Sequence, residues 1–362
     1  MKTWDSVKEK ATLLHNIRKP FDHLSPVKRY SYHPANLTNM VDNYESSDVA
    51  MLRRAQEDTA FEYQLTHHAE SQLLAKLRYP RQLLNRVHPN LSYASIMWLM
   101  QNDEDVAKRN ALFRFHQDTH LEQTVVRAVM GPRYQPIDDM DLLSHIDPYL
   151  KGAQVIYDGF GENSTHLTAI WPDNPLEGGL IPGIHIANSE VGLRSISLSA
   201  VLFRGACGNI LPGWYDAEGR DDSVYDGADT VKARINRKGY QGRVSTQWRF
   251  RHVGTQQRLA DWIRLGMDDL TIQWDVTVAK WKQGMNTLVK DPLGSIADIG
   301  RDAALTQAQI DAAITAWPET KEDFGSSATG IANTFTLGAQ QFRDPEQRYG
   351  MQQAGALALG TL

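Results

Sequence analysis

The sequence predicts an α+β fold: a small, mainly antiparallel sheet with flanking helices, and helical N- and C-terminal regions. Three observations carry that expectation. Residues 155–203 are rich in β-branched side chains and glycine, apolar residues recur at helical spacing on either side of them, and no repeat or low-complexity tract interrupts the 362 residues.

Residues 1–45 read as an irregular polar lead-in, because Pro20, Pro26 and Pro34 break any helix. After Thr66, a good N-cap, Leu65, Ala69, Leu73 and Leu77 recur at four-residue intervals until Pro80 stops the pattern. That is one amphipathic helix. A second helical stretch is expected over residues 93–115, and residues 124–130 form a β-branched run that Gly131-Pro132 ends as a strand. Val155-Ile156-Tyr157 leads to a turn at Gly159-Phe160-Gly161, a strand over residues 167–171 and a loop over residues 172–182. Residues 184–187 and 195–203 pair as a hairpin around Glu190-Val191-Gly192. Beyond Trp262 the helical period returns, with Trp274, Val278, Trp281, Met285 and Leu288 on one face. Thr306 and Gln309 form a capping box ahead of Ile310, Ala313, Ile314 and Trp317. The expected organisation is an irregular segment over residues 1–45, an α+β core over residues 46–260, and a helical region over residues 261–362 packed on that core.

Composition bounds the function. The longest apolar stretches, such as residues 196–203, fall far short of the roughly 20 residues a membrane span needs, so a soluble protein with no membrane partner is expected. The start, MKTWDSVKEKATLLHN, lacks the features of a secretory signal, and the single cysteine, Cys207, excludes an internal disulfide framework. A reducing cytoplasm fits. The net charge of −5 argues against coating duplex DNA by bulk electrostatics.

Charge is nevertheless distributed unevenly. Residues 230–260 contain no Asp or Glu, yet they hold Lys232, Arg234, Arg237, Lys238, Arg243, Arg249, Arg251 and Arg258, interleaved with Tyr240, Trp248 and Phe250. Cations alternating with flat rings suit a single-stranded polynucleotide, whose counterions they replace and whose bases they stack. In a strand, Val244, Thr246, Trp248 and Phe250 share one face and Arg243, Arg249 and Arg251 the other, so an ordinary surface strand with its rings packed inward is the competing reading. An acidic cluster over residues 216–229 precedes the run, as a loop folded on its neighbour, a subunit contact or a regulator of a groove.

Arg127, with Arg133 and Tyr134 after the Gly-Pro turn, offers a second cationic and aromatic patch, against the alternative that Tyr134 closes the core and Arg133 pairs with Asp138 or Asp139. Arg204 completes the set of nucleic-acid-binding candidates. Asn188-Ser189-Glu190 reads as turn chemistry, with Gly192 at positive φ and Glu190 paired with Arg194 or Arg204. His116 and His120 in HQDTH have the i, i+4 spacing of two imidazoles on one helix face, without a third ligand or general base. Gly159-Phe160-Gly161 is followed by Glu162, which repels a phosphate, and no Walker-type GK[ST] occurs, so an ATP-driven motor or strand-exchange ATPase is not expected. The acids near Asp221 and the pair Asp268-Asp269 read as solvated loop and helix faces rather than as two-metal ligands. No catalytic residue, cofactor or metal is assigned.

Several segments together resemble the phage and plasmid proteins grouped as domain of unknown function 932: LTHHAESQLLAKLRYPRQLLNR, VVRAVMGPRYQPIDDMDLL, IANSEVGLRSISLSAVLFRGACGN, WRFRHVG and TGIANTFTLGAQ, in that order over residues 65–357. Where Asn-Gly is expected after the cysteine, this chain has Cys207-Gly208-Asn209. The resemblance implies a role in mobile-element DNA metabolism in a bacterial host, and the helix-flanked strands are distantly similar to single-strand-annealing recombinases. The expectation is a non-enzymatic, ATP-independent single-stranded-DNA-binding or annealing protein that assembles with itself as a ring or filament. A phage structural or host-modulating protein and a metal-dependent nucleic-acid enzyme are the alternatives.

Overall fold

The computed structural model describes residues 2–18, 20–33, 50–56, 59–107, 110–118, 123–205, 209–212, 248–250, 252 and 256–362. The chain begins β1 (Lys2–Thr3), α1 (Trp4–Arg18), β2 (Phe21–Pro26), β3 (Tyr30–His33), β4 (Met51–Gln56), β5 (Thr59–Leu65), α2 (His67–Lys76), α3 (Pro89–Asn102) and α4 (Glu104–Ala107). It continues β6 (Asn110–Asp118), β7 (Gln123–Met130), α5 (Asp139–Ile146), β8 (Gln154–Phe160), β9 (Thr165–Ile170), β10 (Leu180–Asn188), β11 (Ile196–Arg204), β12 (Asn209–Pro212) and β13 (Trp248–Phe250). Five helices follow: α6 (Gln256–Asn286), α7 (Pro292–Asp302), α8 (Gln307–Phe324), α9 (Ala328–Ala339) and α10 (Pro345–Thr361). The fold is α+β.

These elements form two compact units. The larger comprises Met1–Lys8, Asp141–Ser189 and Arg194–Leu362, and the smaller comprises Glu9–Met140 with Glu190–Leu193.

In the larger unit, seven strands pair antiparallel in the order β1-β8-β9-β10-β11-β12, and β13 also pairs with β11. The central strands β9 and β10 are buried almost throughout, their polar residues His166, Thr168, His185 and Asn188 included. A Cβ on Gly183 of β10 would lie 2.6 Å from the Ala169 carbonyl, so only glycine permits this close approach. The helical core gathers Val278, Ile296, Ala313, Trp317, Ile331, Phe335, Met351 and Leu357 with Leu180 and Leu202 from the sheet. α8 starts with the expected capping box: the Thr306 hydroxyl accepts from the Gln309 N–H, and the Gln309 side chain accepts from the Thr306 N–H.

In the smaller unit, six strands run in the order β2-β6-β7-β5-β4-β3, antiparallel except for β5 beside β7. Its core packs Tyr30 on Phe113 with centroids 4.3 Å apart, joined by Tyr32, Leu52, Leu73, Leu74, Leu77, Ile96 and Met100. α2 begins at the predicted cap, where the Thr66 hydroxyl accepts from the Ala69 N–H at 3.1 Å.

The structure corrects the sequence reading at four places. Among residues 1–45, the described ones are ordered as α1, β2 and β3 rather than irregular. Trp4, Val7 and Ala11 bury one side of α1 at helical spacing, Pro20 falls between helix and strand, and Pro26 ends β2, so these prolines punctuate elements without preventing them. The helical stretch expected over residues 93–115 ends earlier, and β6 takes over at Asn110 because Ala111, Phe113 and Phe115 alternate inward. A single small sheet becomes two. Finally, the division at residues 46–260 and 261–362 does not match the two units, because residues 141–189 and the five C-terminal helices share one core.

Candidate functional site

Most of the predicted nucleic-acid interface, namely Lys232, Arg234, Arg237, Lys238, Arg243 and Arg251, lies outside the described residues, as do Cys207, His120 and the acidic cluster over residues 216–229. Within the basic run, residues 248–250, 252 and 256–260 are described. β12 pairs residues 209–212 with residues 201–204 of β11, and β13 pairs Trp248, Arg249 and Phe250 with Leu198, Ser197 and Ile196 of the same strand. Both described segments pair with one strand, β11. Phe250 is buried against Trp262, with centroids 5.5 Å apart, so this ring belongs to the core.

The remaining candidates separate. Arg204 in the larger unit is one-third exposed, 3.5 Å from Asp323 and 4.6 Å above the Phe324 ring. In the smaller unit Arg133 is exposed beyond the Gly131-Pro132 turn, and Tyr134 is half-buried against Gly192. Burial pushes the Tyr134 hydroxyl well above its ordinary range. Arg127 is only 3% exposed, which withdraws its guanidinium from any surface a polynucleotide touches.

Arg127 instead belongs to a buried ionic cluster. Its guanidinium donates to Glu190 Oε2 at 2.7 Å, and the Asp139 N–H donates to Glu190 Oε1 at 2.9 Å. Arg114, also buried, donates to the Glu190 carbonyl at 3.2 Å and to the Asp138 carboxylate, with Asp22 3.8 Å away. Burial pushes the Glu190 carboxyl up, but the Arg127 and Arg114 guanidiniums and the Asp139 N–H outweigh it and hold the group below its ordinary range. Asp22 moves the other way, because burial outweighs its attraction to Arg114. The Gln72 side chain joins this region, accepting from the Val129 N–H at 2.8 Å and donating to the Val191 carbonyl at 2.9 Å.

The Asn188-Ser189-Glu190 expectation is thus corrected in its partners. Gly192 does take positive φ, at 75°, and Ser189 Oγ donates to the Asn163 carbonyl at 2.7 Å. Glu190, however, pairs with Arg127, while Arg194 and Arg204 go to Glu346 and Asp323. Arg133 does not take Asp138, which Arg114 holds. His116 lies on a strand, so the helical argument for HQDTH fails. Among the described residues no group of three or more His, Cys, Asp or Glu is arranged to hold a metal. Asp269 is buried on α6 and accepts from Gln273 at 2.8 Å.

A second polar cluster, in the larger unit, lies beyond what the sequence predicts. Strand alternation puts His166 and Thr168 of β9 on one face, and the register sets His185 of β10 opposite Thr168. Glu346 and Tyr349, three residues apart in the first turns of α10, descend on that face. His166 Nε2 lies 3.0 Å from Glu346 Oε1, His166 Nδ1 3.1 Å from His185 Nε2, and His185 Nδ1 2.9 Å from Thr168 Oγ1. Because a carboxylate only accepts, one proton order satisfies the chain: Thr168 donates to His185, His185 to His166, and His166 to Glu346. Both imidazoles are then neutral. Burial drives both pKa values below 6.5, His185 furthest, and Tyr349 stacks on His185 with centroids 4.0 Å apart. Arg194 donates to Glu346 Oε2 at 2.6 Å, and Tyr349 meets Ser199 at 3.1 Å. THLT and IHIA, two strand segments that carry histidines among buried neighbours, are the available signal; Glu346, 180 positions from His166, carries none.

Among the described residues no helix is long and apolar enough to cross a membrane. No family model, no curated protein and no solved structure matches the chain.

Proposed function

We propose that this chain is a non-enzymatic, ATP-independent single-stranded-DNA-binding or annealing protein of a phage or plasmid, working as a ring or filament of identical copies. The observation that carries the reading is the acid-free basic run over residues 230–260 of the sequence, of which Trp248, Arg249 and Phe250 form β13 on β11. The cations of such a run replace the counterions of a phosphate chain, leave its bases unpaired, and so allow a complementary strand to pair. Annealing needs no bond-making residue. The phage or plasmid setting rests on the resemblance of the quoted segments alone.

The test is fluorescence anisotropy of the purified chain with labelled single-stranded and duplex DNA across a salt series. Single strands are expected to bind in preference, with affinity falling steeply in salt. Arg249→Ala/Arg251→Ala is expected to flatten that dependence by about 0.7 in the log–log slope for each phosphate that is no longer neutralised. No binding at low salt would end this reading.

A further inference from the structure

We propose that the outer face of α3 in the smaller unit is a second contact for single-stranded nucleic acid, with Trp98 as the ring on which a base stacks; this rests on the reading of the chain as a single-strand binder. Residues 71–102 hold no Asp or Glu but include Lys76, Arg78, Arg81, Arg86 and His88. α3 itself carries no charged residue. Its inner side is spoken for: Ile96 and Met100 are buried, Met97 lies against Tyr32, and Tyr93 against His33. Its outer side leaves Leu91 62% and Trp98 60% exposed, seven residues and so about 10.5 Å apart on one face. A large indole left in water on a charge-free helix has apolar area without a partner.

Exposed cations lie on the segments adjoining α3. Arg86 is exposed immediately before α3, which His88 caps by accepting from the Asn90 N–H at 3.3 Å. Lys28 and Arg29 are exposed on the short turn after β2, which packs against α3. Arg78 is exposed at the end of α2, beside Tyr79, whose hydroxyl donates to Ser92 Oγ of α3 at 3.4 Å. Arg78 also holds φ at 55°, closing α2 where glycine is the residue of least strain. Asp103, Glu104 and Asp105 bound the patch beyond Trp98. Arg81 is turned inward, to Ser71 and Glu70.

A duplex hides its bases from an exposed ring, so the chemistry selects an unpaired strand, whose phosphates meet the arginines while a base covers the indole. DNA and RNA single strands share it, and both are used as probes. The experiment measures binding of labelled DNA and RNA single strands of one sequence, their duplexes, and vesicles of mixed phosphatidylcholine and phosphatidylglycerol. The variants are Trp98→Ala, Trp98→Phe, Arg78→Ala/Arg86→Ala and Arg249→Ala/Arg251→Ala, with circular dichroism confirming that each is folded. Trp98→Ala should weaken single-strand binding at least about five-fold with the salt slope intact, Trp98→Phe should keep most of it, and Arg78→Ala/Arg86→Ala should lower the slope. Wild-type affinity in Trp98→Ala and Arg78→Ala/Arg86→Ala, with weaker binding in Arg249→Ala/Arg251→Ala, overturns this second site and leaves the proposed function standing. Absence of any single-strand binding by the wild type overturns both. Trp98-dependent binding to vesicles alone makes the face a lipid-surface site and overturns it as well.

Discussion

The two units each bury a polar cluster, and they solve the cost of burial in opposite ways. In the smaller unit Glu190 stays charged because Arg127 and Arg114 stand against it, with the Asp139 N–H and Asp138 completing the set. In the larger unit His166 and His185 stay neutral, and the charges are moved to the edge, where Glu346 and Arg194 keep 34% and 24% of their side chains in solvent. The difference teaches where each cluster is vulnerable. A closed ionic set fails when one member is removed; a neutral hydrogen-bonded chain fails when a proton is added.

The largest effect is therefore expected from Glu190→Gln. It leaves the buried Arg127 guanidinium facing an amide while Arg114 keeps Asp138, and loss of one member of such a set costs about 3–5 kcal/mol. Urea unfolding should register that loss. Replacing the pair together, Arg127→Met with Glu190→Leu, should cost less than Glu190→Gln alone, because no buried charge is then left unanswered. Equal losses in the two variants would mean that the cluster is held by packing rather than by charge, and the contrast between the units would dissolve.

Acid should discriminate the clusters next. His166 and His185 are shifted below 6.5 by burial, so between their folded values and 6.5 the unfolded chain binds more protons than the folded one. Stability of the larger unit thus rises with pH across that window and is lost as pH falls below 6.5. Glu190 and Glu346 are both held below 4.5, so their stabilisation goes only under more acidic conditions; Asp22, raised from 3.8, opposes that loss in the smaller unit. His23 of the smaller unit shifts in the same direction as the buried pair but is only half-buried, which limits its contribution. Hydrogen exchange at pH 7 and pH 5, corrected for intrinsic rates, should show β9 and β10 losing protection ahead of β6 and β7. His185→Gln should remove most of that difference. Uniform loss across both sheets would contradict the assignment of neutral imidazoles.

How much of the molecule is legible in its sequence follows the range of each signal. Local chemistry is readable: the cap at Thr66, the box at Thr306 and Gln309, the hairpin from β10 to β11, and Gly192 at its turn are all written in neighbouring residues. Long-range pairing is not. Glu190 lies closer in sequence to Arg194 and Arg204 than to Arg127, yet the ion pair spans 63 positions, and a choice among arginines is made by sheet register that no single strand encodes. The opening helix escapes a reading that treats proline only as a breaker, because Pro20 falls between elements rather than inside one. Residues 110–115 look helical only while the preceding helical period is extended past its end, over the alternation of Ala111, Phe113 and Phe115. Arg127 is offered to solvent for a related reason: a cation on a strand looks exposed until the carboxylate that buries it is found.

The smallest effect sharpens the comparison most, because it repeats the first substitution in the other cluster. Glu346→Gln keeps an oxygen to accept from His166 Nε2 and loses only the ionic part of its bond to Arg194. With both side chains partly in water, that part is screened and contributes about 1 kcal/mol or less. The amide also withdraws an influence that raised the His166 pKa, so both imidazoles remain neutral and the loss below pH 6.5 persists in the variant. A urea midpoint close to wild type, together with an unchanged acid response, is the expected pair of results. If Glu346→Gln instead unfolds the larger unit as severely as Glu190→Gln unfolds the smaller, the carboxylate is the keystone of both clusters, and solvent at the edge of α10 is not relieving it.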